Sequence, residues 1–291
     1  MGGGSWTTHA FADYSISKGK RVTADGTLAA SSHQELFKTK NLDPALNPKN
    51  VMRECCDSEE HPNTIPVILA LDVTGSMGQA AVEVAKKLNV IMTKLYDEVK
   101  DVEFMIMGIG DLAYDYHPIQ ASQFESDIRI AEQLDKVFFE FHGGGNSYES
   151  YTAAWYFGLK HTKLDCWERG KKGIIITMGD ERLNPYLPIY GRHCGLASAT
   201  GDSLQDDIET KDLYKDVVEK FDVYHLNVEH GYNGDKDNIE KSFKEYMDEK
   251  HFRNVNLDSI VNEIVDIVVS ASNGTATSAT GAVRSDEGIS W

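Results

Sequence analysis

Three short stretches place oxygen donors where a turn can gather them. Asp72-Val73-Thr74-Gly75-Ser76 carries a carboxylate and two hydroxyls at alternate positions. Gly143-Gly144-Gly145-Asn146-Ser147-Tyr148-Glu149-Ser150 brings an amide, hydroxyls and a carboxylate after a glycine run. Gly179-Asp180-Glu181 adds two more acids. A carboxylate and two hydroxyls spaced by two residues can all point inward from one turn. A second loop then supplies a hydroxyl or amide oxygen, and a third another carboxylate. Such a hard-oxygen cage of low net charge suits Mg²⁺ or Mn²⁺, with one position left for water or an incoming carboxylate. The candidate metal ligands are Asp72, Thr74, Ser76 and Asp180, with the second-loop ligand open among Asn146, Ser147 and, ranked below them, Glu149.

These turns need a scaffold that brings them to one edge. Residues 67–72 (VILALD) form a short apolar run ending at a turn, the pattern of a strand buried on both faces. Ala81, Val84, Ala85, Leu88, Ile91, Met92 and Leu95 then recur at helical spacing. Residues 102–110 read as a second buried strand, 118–124 as an edge strand, 127–141 and 150–161 as helices. A third strand is expected at 173–180, an irregular loop at 181–201, a helix at 204–220, a strand at 221–228 and helices at 239–250 and 257–270. The alternation predicts an α/β fold, a doubly wound, mainly parallel sheet with helices on both faces. In such sheets ligands bind outside the carboxyl ends of the strands, where all three turns fall. The chain divides into a polar N-terminal extension (1–64), the α/β domain (65–270) and a flexible Ser/Thr/Gly-rich tail (271–291). Within the extension, Ser32 with Glu35 predicts a capped helix to about Lys38.

The run DVTGSM from Asp72 resembles the DxSxS element of the metal-ion-dependent adhesion site in von Willebrand factor A domains. GGGNSYES resembles a GGGDxxES variant of some bacterial A domains, with Asn146 in place of Asp. Asp180 lies in TMGDE, two residues later than in the common TDG form. The resemblance covers roughly residues 65–270, and RECCDSEEHPN before the first strand is similar to stand-alone bacterial and phage members. It implies a Rossmann-like domain that binds protein in a metal-dependent way. The ion, held by Asp72, Thr74, Ser76, a second-loop oxygen and Asp180 (directly or through water), would accept an Asp or Glu of the partner. For A domains without a signal peptide the resemblance suggests an AAA+ ATPase or a component of a larger assembly as partner. The loop 181–203, with Arg182, Tyr186, Tyr190 and His193, is long and adjacent enough to choose that partner.

Competing readings explain less. Ser76 could simply cap the following helix, but that leaves Asp72 and the other loops unexplained. Asp111 after Gly110 could accept a hydrogen bond from a ligand group of the rim, with a surface turn the preferred reading, and His142 could contact a ligand, with an exposed turn histidine preferred. Asp57, Glu59, Glu60 and His61 precede the first strand. At ~3.3 Å per residue they fall about 20 Å from the rim, as solvated surface. Gly201-Asp202-Ser203-Leu204 carries the signature of GDSL-type serine hydrolases, and Asp248 with His251 supplies a DxxH. In those enzymes the serine follows the first apolar strand, whereas here it follows the polar GLASAT, so a helix cap at Asp202 or Ser203 is expected instead. A DxDxT phosphotransferase would need a second acid where Thr74 stands, and no P-loop lysine is present. The expectation is a binding protein rather than an enzyme, with a structural subunit of a bacterial or phage assembly as the alternative.

Composition narrows the partners. The 291 residues hold 29 Lys and Arg against 46 Asp and Glu, for a net charge of −17. That balance lacks the basic footprint of a nucleic-acid binder and disfavours anionic membranes. It favours cations and basic surfaces. A hydrophobic fraction of 41% excludes wholesale disorder. No stretch of 18 apolar residues appears. The opening MGGGSWTTHA lacks the basic and apolar regions of a secretory signal, and Trp6 departs from the myristoylation pattern. Cys55, Cys56, Cys166 and Cys194 lack CxxC spacing and read as reduced thiols of a cytoplasmic protein.

Overall fold

The computed structural model describes residues 4–30, 32–140, 146–229 and 235–277, with side chains to residue 273. The expected turn at His142, the Gly143–Gly145 run and the tail beyond residue 277 lie outside the described residues.

The extension contributes helices α1 (Thr8–Ser17) and α2 (His33–Leu36) and strand β1 (Arg53–Cys55). There follow β2 (Ile65–Asp72), α3 (Gly78–Glu98), β3 (Val102–Ile109), β4 (Ile119–Ala121) and α4 (Arg129–Leu134). The middle of the chain forms β5 (Tyr148–Glu149), α5 (Thr152–Lys160), β6 (Thr162–Leu164), β7 (Gly173–Gly179), β8 (Arg182–Leu183) and β9 (Tyr186–Leu187). The last elements are α6 (Leu196–Thr200), β10 (Ile208–Glu209), α7 (Thr210–Val217), β11 (Phe221–Val228), α8 (Lys236–Lys244), β12 (Phe252–Val255) and α9 (Ile260–Thr277).

Six strands form the central sheet in the order β12-β11-β7-β2-β3-β4. Every pairing is parallel except the edge pair β3–β4. The chain leaves β2 toward β3 and β4, then returns to the other side of β2 through β7. The order therefore reverses between β2 and β7, the switch point at which open α/β sheets open a crevice. Strand alternation assigns the faces. Val67, Leu69 and Leu71 of β2 pack with α3 and α9, while Ile68 and Ala70 pack with α5, α7 and α8. Helices thus cover both faces, as a doubly wound sheet requires.

The extension is part of this core. Trp6, Phe11, Leu28, Leu36, Phe37 and Leu46 are buried in the α3–α9 cluster. The Trp6 indole donates to Asn89 Oδ1 on α3 at 3.0 Å. β1 pairs in parallel with β6, Cys55 opposite Leu164. The predicted helix after Ser32 forms as α2, with the reciprocal Ser32–Glu35 cap, and ends at Leu36.

Several element boundaries differ from the sequence expectation for identifiable reasons. The helix expected over 127–141 stops at Leu134, and beyond it the Gln120 side chain takes both backbone groups of Phe138, which are then not free for helical bonds. The helix expected from 204 begins at Thr210, because Ile208 and Glu209 pair with Leu187 and Tyr186. The 181–201 loop carries strands β8 and β9 and helix α6, which closes at Gly201 in the left-handed region (φ 85°). α8 occupies Lys236–Lys244 rather than 239–250. α9 continues past residue 270 to Thr277 and buries Ala271, the first residue of the expected tail.

Candidate metal centre

β2 and β7 run side by side with Leu71 opposite Met178, so their next residues emerge together at the rim. Asp72 closes β2 and is buried. Its Oδ1 accepts from the Thr74 backbone N–H at 2.8 Å and from the Thr74 hydroxyl at 2.6 Å, which folds the turn back on itself. Thr74 Oγ1 lies 3.4 Å from Ser76 Oγ, and Ser76 Oγ donates to Asp180 Oδ1 at 3.0 Å. Asp72, Thr74, Ser76 and Asp180 therefore form one chain of oxygens across the switch point.

Tyr151 supports the cluster from below. It lies just before α5, fully buried, and its hydroxyl donates to Asp72 Oδ2 at 3.0 Å while accepting from the Glu181 backbone N–H at 3.1 Å. One phenol thereby ties the first acidic turn to the third. Gly179 is required here: a Cβ at that position would sit 2.0 Å from the Tyr151 hydroxyl oxygen. Sequence reasoning missed Tyr151, because an aromatic opening a helix reads as core.

The second loop contributes differently from its sequence ranking. Asn146 and Ser147 are exposed. The Asn146 side chain accepts from the Tyr148 N–H at 3.1 Å and hydrogen-bonds Asp111. Glu149 is the buried acid of this loop, held by β5 pairing with β8, with Glu149 opposite Leu183. Its neighbour Ser150 accepts from the Leu112 N–H at 3.0 Å and from Asn184 Nδ2 at 3.1 Å. Asp111, expected as a surface turn, is instead fully buried, because loop 111–115 folds under the second loop. Its Oδ1 accepts from Ala113 N–H, and its own N–H donates to Asp115 Oδ2 at 2.7 Å.

The electrostatics follow from this crowding. Burial first, and the Asp180 carboxylate second, push the Asp72 carboxyl up to about 7. Burial and Asp180 likewise push Glu181 up to about 7. Burial, with Glu140 and Asp111 adding repulsion, raises Asp115 to about 7. Glu149 is held well above the carboxylate range by burial and then by Asp72. Glu149 Oε2 and Asp111 Oδ2 are buried with no hydrogen-bond partner among the described residues. Buried acids without compensation are costly, and a cation nearby relieves them. Arg182, the adjacent basic residue, is engaged by Asp235 instead.

Among the described residues no three His, Cys, Asp or Glu side chains converge as a metal cage. The cluster mixes two carboxylates with two hydroxyls, the donor set of a hard cation rather than of zinc. Orphaned acid oxygens beside it fit the same kind of ion.

The other sequence candidates separate. Asp202 accepts from the Tyr156 hydroxyl and lies 2.8 Å from His161 Nε2, while His161 Nδ1 faces the Val51 carbonyl at 3.0 Å. Both ring nitrogens of His161 are thus occupied, and none is left to activate Ser203. His251 pairs with Asp248 at 2.6 Å. Of the acidic run expected as solvated surface, Glu59 and Glu60 are exposed, but His61 is buried and lies 2.8 Å from the Gly4 carbonyl. Asp57 is likewise engaged: it accepts from the Thr64 N–H and hydroxyl and pairs with Arg169. The extension folds over this end of the sheet and buries these groups.

No protein-family profile matches the sequence, and no curated protein does. Solved structures do. The pilus adhesin SpaC from Lactobacillus rhamnosus GG, in its open conformation, is similar over 78% of this chain at 13% identity, with a TM-score of 0.50. This chain spans about a third of SpaC, 31% of its length. The vWF domain of the type V pili tip protein Mfa5 from Porphyromonas gingivalis aligns over 76% of this chain and 98% of its own, at 12% identity and a TM-score of 0.45. The conserved hypothetical protein BatB from Bacteroides thetaiotaomicron aligns over 73% and 99%, at 15% identity and a TM-score of 0.41. At these identities the likeness is one of fold. The class defined by fold and rim is a doubly wound α/β domain with its acidic crevice at the switch point. Its structural neighbours are adhesin and vWF-domain proteins. No helix among the described residues is long and apolar enough to cross a membrane.

Proposed function

We propose that this chain is a protein-binding module of the von Willebrand A type, whose rim holds Mg²⁺ or Mn²⁺ and through it takes an Asp or Glu side chain of a protein partner. Asp72, Thr74, Ser76 and Asp180 would hold the ion, with a second-loop oxygen from Asn146, Ser147 or Glu149. The bound ion would supply positive charge to a site rich in acids. The observation that carries this reading is the oxygen chain from Asp72 to Asp180, set beside two buried acid oxygens, Glu149 Oε2 and Asp111 Oδ2, that have no hydrogen-bond partner among the described residues. The pilus-adhesin description of SpaC accords with a binding role. An AAA+ ATPase or an assembly component remains the partner class that the DVTGSM resemblance suggests. A structural subunit whose ion only stiffens the rim is the second reading, favoured by the tight Tyr151 brace between the first and third turns.

The test is calorimetric titration of Mg²⁺ and Mn²⁺ into chelator-stripped protein, beside Asp72→Ala and Ser203→Ala, with circular dichroism to establish folding. One-site binding lost in Asp72→Ala and kept in Ser203→Ala is the expected result. A folded wild type that binds neither ion would overturn the metal assignment. Metal-dependent stability without any carboxylate-bearing partner retained on an affinity column would select the structural reading.

A further inference from the structure

We infer that the chain carries a second binding site, a phosphate-recognising pocket where the N-terminal extension meets the end of α4. The molecule is acidic, with a net charge of −17, yet Lys18, Lys20, Lys38 and Lys136 all line one cavity of about 390 Å³. Three separate segments supply them: Lys18 and Lys20 follow α1, Lys38 follows α2 and Lys136 follows α4.

One of the four is already neutralised. The Lys20 ammonium bonds Asp135 Oδ1 at 2.5 Å, and its side chain is only 11% exposed. The Tyr14 hydroxyl donates to the other Asp135 oxygen at 2.9 Å, so both oxygens of this acid are engaged within the wall. Lys18 lies over the Tyr14 ring, 5.4 Å from its centroid, a contact that leaves its charge available. Among the described residues Lys18, Lys38 and Lys136 have no acidic partner. Glu132 also lines the cavity and offsets one of them. A surplus of two positive charges remains inside a concave wall.

Like charges gathered without a counter-charge repel one another, and a compact multivalent anion removes that cost. Ammonium groups meet phosphate oxygens as point charges, whereas planar carboxylates are best matched by the guanidinium fork, which this pocket lacks. Three cations on one cavity suit an anion whose charges are clustered, such as a pyrophosphate or phosphate-ester group, better than an extended acidic peptide. Because Lys18 and Lys38 belong to the extension and Lys136 to the domain, a bound phosphate would tie the two together. The site is separate from the rim and does not rest on the metal reading.

The test is a titration of chelator-treated full-length protein with sodium pyrophosphate, read by calorimetry and by melting temperature against sodium chloride of matched ionic strength. Chelation removes any effect of pyrophosphate on bound metal. Saturable binding with a raised melting temperature is expected, weakened roughly tenfold or more in Lys38→Ala/Lys136→Ala. Vesicles of phosphatidylcholine with phosphatidic acid form the second arm. Sedimentation lost in the same double variant would assign the phosphate to a lipid headgroup, and pyrophosphate binding without sedimentation to a free ligand. Lysines near helix C-termini also compensate helix dipoles. A double variant that is merely less stable, beside a wild type whose pyrophosphate response equals that of chloride and that ignores the vesicles, would overturn the proposal.

Discussion

Asp72 sits where two demands conflict. It closes a buried strand, and it faces a second acid, Asp180, through Ser76. Its folded carboxyl, near 7, lies above the unfolded value of about 3.9, as do Asp115 near 7 and, less buried, Glu181 near 7. The folded state therefore holds protons that the unfolded state releases. These groups stabilise the metal-free fold fully at low pH and lose that contribution as pH rises from about 4 to 7, by at most ~1.4 kcal/mol per pH unit each, less for half-buried Glu181. His225 runs the other way. Burial holds its imidazole down to about 3, so its contribution is lost as pH falls below about 6.5. Comparing metal-free with metal-loaded protein at each pH cancels His225. The gain in melting temperature on adding Mg²⁺ is then expected to grow from pH 5 to 7, and a gain independent of pH would contradict the acid cluster as its source. Tyr151→Phe leaves Asp72 Oδ2 and the Glu181 N–H without their shared partner, at an expected cost of about 1–3 kcal/mol in urea denaturation. Gly179→Ala, which drives a methyl into that hydroxyl, should cost at least as much.

The elements that carry the site were readable where apolar residues run without interruption. Residues 67–72 and 173–179 signal buried strands by composition alone, and their C-terminal ends bring Asp72 and Asp180 together. The even-numbered parity of Asp72 matches Ile68 and Ala70 on the α5 face, and this is why Tyr151 reaches it. Asp111 was not readable, because its burial comes from tertiary packing of its loop, in which its own N–H donates to Asp115 and the next N–H, of Leu112, donates to Ser150. Helix α1 was equally silent, since Phe11 and Ser15 are its only buried residues and set no periodic stripe. α9 ran beyond its predicted end because small residues such as Ala271 still find the core. Its earlier turns pack along α3 in the same buried cluster. Ile264→Ala, at a fully buried position, should lower stability by about 2–5 kcal/mol in chemical denaturation.

At the scale of the whole molecule, the division into extension and domain is chemical rather than mechanical. The first 64 residues are polar in sequence, yet Phe11, Leu36 and Leu46 fill the same cluster as α3 and α9. Removing residues 1–50 should therefore expose that apolar face, with increased dye binding and a lowered melting temperature, rather than release an unaltered domain. A truncated protein as stable as the parent would show that the packing contributes nothing. The rim shows the same integration. The Arg192 N–H donates to the Ala113 carbonyl at 2.7 Å, Tyr116 stacks on His193 with ring centroids 3.9 Å apart, and a Cβ on Gly191 would meet the Leu112 carbonyl at 1.9 Å. The loop after β9 and the loop after β3 are thus stitched into one platform before any partner arrives, with Tyr116 and Tyr190 facing solvent. A ligand landing there meets a surface whose ordering entropy was lost at folding, so affinity changes among rim variants should appear in the lifetime of the complex and scarcely in its rate of formation.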